Sequence, residues 1–108
     1  MALIEVDEMD YQNILEDEFA KGNTVILKFV TEMCDACMAL GFELEDIEER
    51  DDVSVLEIDC VESEELASEY GVYEVPTMII YKDPKTVLYN STGVIMAQDI
   101  EKIIDEKE

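Results

Sequence analysis

The sequence contains no histidine, and that absence removes whole classes of chemistry. Ser/His and Cys/His nucleophile pairs need an imidazole as base, and imidazole metal sites need it as ligand. Any catalysis must therefore use thiols, carboxylates or lysine. Positive charge is scarce as well: seven Lys plus Arg stand against 29 Asp plus Glu, a formal net charge of -22. The lysines (Lys21, Lys28, Lys82, Lys85, Lys102 and Lys107) are scattered, so the clustered basic surface that nucleic-acid phosphates require is missing and no nucleic-acid partner is expected. A basic protein partner or a salt-rich cytoplasm suits such a chain. Acidic residues that merely form solvated helix faces, keeping the protein soluble and monomeric, account for the same composition.

Long hydrophobic runs are also lacking. No segment approaches the roughly 20 apolar residues needed to cross a bilayer, and residues 1–5 have neither the basic start nor the apolar stretch of a secretory signal. The expectation is a cytoplasmic protein with no membrane partner. Repeats, linkers and low-complexity blocks are missing too. With 108 residues, 48% of them hydrophobic, the chain reads as a single domain over 1–108 built around one core.

What is present is an alternation of strand-like and helix-like patterns, which predicts an α/β organisation. Residues 3–6 read as a short strand. Residues 10–20 read as a helix in which Tyr11, Ile14, Leu15 and Phe19 keep helical spacing, ended by Lys21-Gly22-Asn23. Residues 24–30 form a β-branched, nearly continuous apolar run suited to a central strand covered on both faces, with Lys28 its anomaly. From residue 34 the stripe Cys37, Leu40, Leu44, Ile47 traces one face of a helix. A strand over 53–58, a short helix over 63–70 stopped by Gly71, and strands over 77–81 and 86–89 follow. The short connection Lys82-Asp83-Pro84-Lys85 makes those last two strands an antiparallel hairpin. A helix from Ala97, with Ile100, Ile103 and Ile104 as its apolar stripe, closes the chain.

Cys34-Asp35-Ala36-Cys37 stands between the central strand and the helix that follows it. Helical spacing places Cys37 on the buried face and Cys34 one turn earlier, at the helix entrance, where its thiol is exposed. A thiolate is the attacking species in disulfide exchange, and unpaired N–H groups and the helix dipole stabilise it at a helix N-terminus. Cys34 is thus the candidate nucleophile on a partner's disulfide, and Cys37 would then attack Cys34 to release the reduced product. The same spacing supplies half of many zinc sites, and Cys60 with Asp35 or Asp59 would be needed to complete one. Two buried structural thiols are a further alternative. The strand-CxxC-helix context favours redox chemistry over both, with no metal and no bound cofactor.

The order of elements resembles the thioredoxin family over nearly the whole chain. Residues 25–37 resemble the family's central strand and WCxxC centre, Val75-Pro76-Thr77 matches the loop carrying its cis-proline, and Gly93 matches the glycine before its last helix. The resemblance implies a thioredoxin fold, a central mixed β-sheet of four to five strands flanked by α-helices. It also implies that Pro76 lies beside Cys34, and that Met33, Val75, Pro76 and Gly93 contribute to substrate binding.

This chain departs from the family pattern at several positions. Met33, Asp35 and Ala36 replace the family's Trp, Gly and Pro around the first cysteine. The Asp35 carboxylate disfavours a Cys34 thiolate, which makes the disulfide a weaker oxidant and predicts a reductant; a solvated helix-start residue of little effect is the other reading. Lys28 occupies the position of a buried aspartate that handles the second cysteine's proton. It is read as a base, as a charge stabilising a Cys37 thiolate, or as a side chain that snorkels to solvent or pairs with Glu57. Phe42 replaces a helix-kinking proline, so a straighter helix is expected. The resulting expectation is a protein-disulfide reductase that takes electrons from a thioredoxin-reductase-like donor and passes them to disulfide-containing, basic protein substrates. The alternative is a non-catalytic thioredoxin-fold binding or assembly module whose CxxC is vestigial or binds a metal.

Overall fold

Alternating apolar patterns become alternating elements in the computed structural model, which describes residues 3–105. In chain order these are β1 (Leu3–Val6), α1 (Tyr11–Ala20), β2 (Thr24–Val30), α2 (Asp35–Glu48), β3 (Val53–Asp59), α3 (Glu64–Glu69), β4 (Thr77–Asp83), β5 (Thr86–Thr92) and α4 (Ala97–Asp105). The strands form one five-stranded sheet in the order β1-β3-β2-β4-β5. β3 runs parallel to β1 and β2, whereas β4 is antiparallel to β2 and β5. This is the mixed sheet flanked by helices that the sequence implied, with five strands.

Because side chains alternate across a strand, each strand feeds two cores. Val25, Leu27 and Phe29 of β2, with Leu56, Ile58 and Ile79, face α1 and α3, where Tyr11, Ile14, Leu15, Phe19, Leu66 and Ala67 cover them. Ile26, Val53, Val55, Met78 and Ile80 face the other side, where the stripe Leu40, Leu44, Ile47 of α2 and Ile100, Ile104 of α4 closes over them. Lys28 shares the parity of Ile26 and so points under α2. Parallel pairing sets it opposite Glu57.

Residues outside the short helices satisfy their ends. Ser63, at the N-cap of α3, makes no side-chain cap. Glu8 Oε2 instead accepts from the N–H groups of Glu65 and Leu66, at 2.9 and 3.2 Å. Glu43 on α2 does the same for α4, accepting from the Ala97 N–H at 2.8 Å and fixing where that helix begins against its neighbour. Gly71, at φ +70°, ends the segment after α3 in a left-handed conformation that costs a glycine nothing.

The hairpin differs from expectation in length. Lys82 and Asp83 extend β4, and Asp83 pairs with Thr86, so only Pro84 and Lys85 form the connection. Register shifts between Ile80 and Asp83 accompany these polar residues, where β4 runs past its pairing with β2 and pairs with β5 alone. β5 runs on to Thr92, which carries the chain back to the end of the sheet where α2 begins. α2 is continuous across Gly41 and Phe42.

Candidate active site

The C-terminal end of β2 delivers the chain to residues 31–34, and the backbone there sets out the site. Met33 adopts φ 58°, a left-handed conformation sparsely populated by side-chain-bearing residues. Its side chain is fully exposed beside Cys34. Cys34 then takes an extended conformation as the N-cap of α2, and its sulfur accepts the Cys37 N–H at 3.1 Å. A cysteine sulfur thus fills the role that a serine or aspartate oxygen plays at an ordinary N-cap. The Cys34 and Cys37 Cα atoms are 5.2 Å apart and the pair is joined as a disulfide.

The two cysteines are unequally accessible. Cys37 is 6% exposed and belongs to the buried face of α2. Cys34 is half-buried, where the sequence led us to expect an exposed thiol. Its N-cap position draws the sulfur back over the first turn, toward Cys37 and its N–H.

Beneath the pair lies a cleft of about 360 Å³, lined in part by Lys28, Met33, Cys34, Cys37, Gly41 and Glu57. Lys28 is 5% exposed, and its Nζ lies 3.1 Å from Glu57 Oε2. Of the readings of Lys28, pairing with Glu57 is the arrangement observed. The ammonium nevertheless remains in the cysteine cleft, because it sits under Gly41, where a Cβ would approach it to 3.5 Å. Gly41 follows Cys37 by four residues, one turn along the same face. A Cβ at Gly41 would make only ordinary contact with the ammonium, so this glycine marks how closely Lys28 passes beneath the helix.

Asp35 and Ala36 are exposed on the first turn of α2 and do not line the cleft. Val75, Pro76 and Gly93 lie elsewhere at the same end of the sheet. The Val75–Pro76 peptide is cis. The Phe29–Thr77 pairing places that loop beside the end of β2, and the Gly93 N–H donates to the Pro76 carbonyl at 2.9 Å. Glu32, which the sequence reading did not single out, and Asp59, which it joined to the cysteines only as a candidate zinc ligand, line the cleft as well. Asp59 follows Glu57 at the next position on the same strand face.

Cys60, just past β3, is half-buried and unpaired. Burial pushes its thiol up from the ordinary value, and Asp59 beside it adds to the effect. Among the described residues no group of three or more Cys, Asp or Glu side chains is arranged to hold a metal ion.

Comparison with known proteins agrees with this geometry. The thioredoxin family model matches residues 2–106, and the thioredoxin of Chlamydia trachomatis serovar D is 32% identical over 98 residues, covering 90% of this chain and 94% of that one. The chain belongs to the thioredoxin family. A Schizosaccharomyces pombe protein named as a protein disulfide-isomerase is 33% identical over 76 residues, 68% of this chain, which spans only 15% of that protein's length. Among solved structures, thioredoxin f from spinach chloroplast superposes with a TM-score of 0.81 at 28% identity, covering 99% of this chain and 95% of that one. The family and its paired cysteines make this protein a thiol-disulfide oxidoreductase. As for the thioredoxin family in general, its substrates are protein disulfides and its electrons come from a reductase.

Proposed function

We propose that this thioredoxin-family protein works in the reducing direction, with Cys34 as the attacking thiol and Cys37 as the resolving one. The observation that carries this reading is the unequal placement of the two sulfurs, Cys34 at the N-cap of α2 and Cys37 buried one turn deeper. In the reduced protein the Cys37 N–H and the helix dipole would favour a Cys34 thiolate. Asp35, exposed in the first turn, would oppose it and so keep the couple on the reducing side. No bound cofactor takes part.

Client docking draws on Met33, Val75, Pro76 and Gly93. Met33 is fully exposed, and Met38 and Phe42 continue an exposed apolar strip along α2. Methionine is unbranched and polarizable, suited to clients of differing shape. Carboxylates lie beside the start of this strip: Glu32 and Asp59 share the cysteine cleft with Met33 and Met38, and with Glu62 they line a second cleft of about 210 Å³. With a net charge of -22, the protein would attract basic clients, repel acidic ones and remain monomeric in the cytoplasm.

Reduction of insulin disulfides with dithiothreitol as electron source tests the reading. The wild-type protein should accelerate the reaction and Cys34→Ser should abolish it. Cys37→Ser should accumulate a mixed disulfide on Cys34. Absence of catalysis by the wild type, or retention of it in Cys34→Ser, would refute the proposal.

A further inference from the structure

On the α1 and α3 side of the sheet, away from the cysteine cleft, a pocket of about 350 Å³ is walled by Leu15, Phe19, Tyr70, Tyr81 and Pro84, with Glu16 among its lining residues. That volume falls at the lower end of the range for preformed ligand sites, roughly 300 Å³ and upward. The rings hold one another in place. Phe19 and Tyr81 meet edge to face with ring centres 6.1 Å apart. Tyr70 meets Tyr11 in the same way at 6.1 Å, and the two hydroxyls are hydrogen-bonded. Burial raises the Tyr70 and Tyr81 hydroxyls above their ordinary value, so both rings are uncharged at neutral pH.

A single charged side chain lines this pocket among the described residues, the exposed Glu16. It accepts from the Gln12 amide at 2.8 Å and pairs with no described lysine or arginine. Aromatic ring faces carry negative potential, so a carboxylate beside three uncharged rings favours a cation. Two other occupants fit less well. A second copy of this chain would bring its own net charge of -22 against the first, and an apolar anchor would desolvate Glu16 without pairing it. The pocket is also continuous with the client-docking end of the sheet. Tyr70 lines a further cleft of about 290 Å³ with Tyr73, Glu74, Thr77 and residues 90–92, beside the Val75–Pro76 loop. From Thr77 to Tyr81 the strand advances roughly 13 Å. Val87, opposite Tyr81 in the hairpin, is 51% exposed, so this stretch of the sheet lies open to an extended chain.

We propose that this aromatic pocket is a second docking site for the client protein, and that it takes an arginine side chain lying several residues from the client cysteine engaged at Cys34. The guanidinium stacks on the Phe19 and Tyr81 rings and pairs with Glu16. Arginine suits the site better than lysine, since its planar, weakly hydrated head both stacks on aromatic faces and matches a carboxylate. Arginine is also enriched among the residues that dominate binding at protein interfaces. The site deepens the reading of basic clients and rests on it. Disulfide exchange stays with the cysteine pair, and the pocket selects and holds the client, so it lowers KM and leaves kcat alone.

Binding and turnover test this separately. In amide NMR of the oxidised protein, acetyl-arginine-methylamide should bind in the millimolar range and shift Leu15, Phe19, Tyr70 and Tyr81, whereas acetyl-leucine-methylamide should leave them in place. Glu16→Gln should weaken that binding about five-fold, and Tyr81→Leu about five- to ten-fold. Shifts scattered over the acidic surface, an equal response to the leucine probe, or unchanged binding by Glu16→Gln overturns the proposal. So does a concentration-dependent shift of the same amides in the protein alone, which would assign the pocket to a second copy. For turnover, peptide disulfides carry one arginine placed about four to ten residues from the cysteine, or glutamine in its place. At one of these spacings the wild-type KM should fall about five-fold relative to the glutamine peptide. Glu16→Gln should erase that gain with kcat unchanged. The absence of such a spacing, or a gain that survives Glu16→Gln, overturns the proposal. Failure of the wild type to reduce any of the peptides would instead remove the reductase reading, and the NMR result would still decide the pocket.

Discussion

Replacing Lys28 with Met isolates the energetics of the buried ion pair. The side chain is 5% exposed, so its ammonium has given up nearly all of its hydration, and the Glu57 carboxylate at 3.1 Å repays it. Breaking a fully buried pair by removing one partner costs about 3–5 kcal/mol, because the other charge is stranded. Glu57 is 22% exposed and can turn toward water, so Lys28→Met should cost less, about 1–2 kcal/mol. Glu57→Met strands the more deeply buried ammonium and should cost more, about 2–4 kcal/mol. The double variant should recover most of both losses, since a buried pair replaced by apolar groups of similar volume is often neutral or better. Urea unfolding of the four oxidised proteins completes the cycle, and 1 kcal/mol corresponds to about 4–8 °C in Tm for a chain of this size. Single-variant losses that simply add, to within about 0.5 kcal/mol, would show that the two charges are not coupled and refute the argument.

Two further outcomes follow from Glu18 and Cys60, neither of which lines the cysteine cleft. Burial raises the Glu18 carboxyl, but hydrogen bonds from Lys21 and Ser54, at 2.8 and 2.5 Å, outweigh it and hold the group below its usual value. Its stabilisation is therefore present above the unfolded carboxyl's pKa, about 4.3, and is lost as pH falls through the lower folded value. Glu18→Gln should lose about 2 kcal/mol at neutral pH and show a shallower acid decline in urea midpoints than wild type; parallel declines would contradict this. At Cys60, burial and then Asp59 raise the thiol, so iodoacetamide near neutral pH should label Cys34 of the reduced protein well before Cys60. Cys60→Ala should leave insulin turnover unchanged, and equal labelling rates would contradict the placement.

Much of this architecture was legible because local pattern and tertiary role coincide. The stripe Cys37, Leu40, Leu44, Ile47 that marked α2 is the face that packs on Ile26, Val55 and Met78. Val25 to Phe29 read as a central strand because both of its faces are covered. Lys82 and Asp83 read as loop because their polarity reflects a strand end that has run past β2, and only the pairing with β5 shows that the strand continues. The capping carboxylates Glu8 and Glu43 act on helices 54 to 58 residues away, which no local motif records. The cysteines announced themselves by spacing. Lys28 stood out as a charge in an apolar run, but its consequence depends on the parallel register with Glu57 and on its passage beneath α2 at Gly41. Those relations exist only after folding. Cys34 is more buried than its place at the helix entrance suggested, since its sulfur caps the helix.

The most direct test of the central claim, a reducing Cys34/Cys37 couple, is its reduction potential. Equilibrating the protein in graded dithiothreitol or glutathione buffers and counting free thiols by mass-tagged alkylation gives that value. The account predicts a potential near or below about -270 mV; a value of roughly -180 to -120 mV, in the range of isomerases and oxidases, would contradict it.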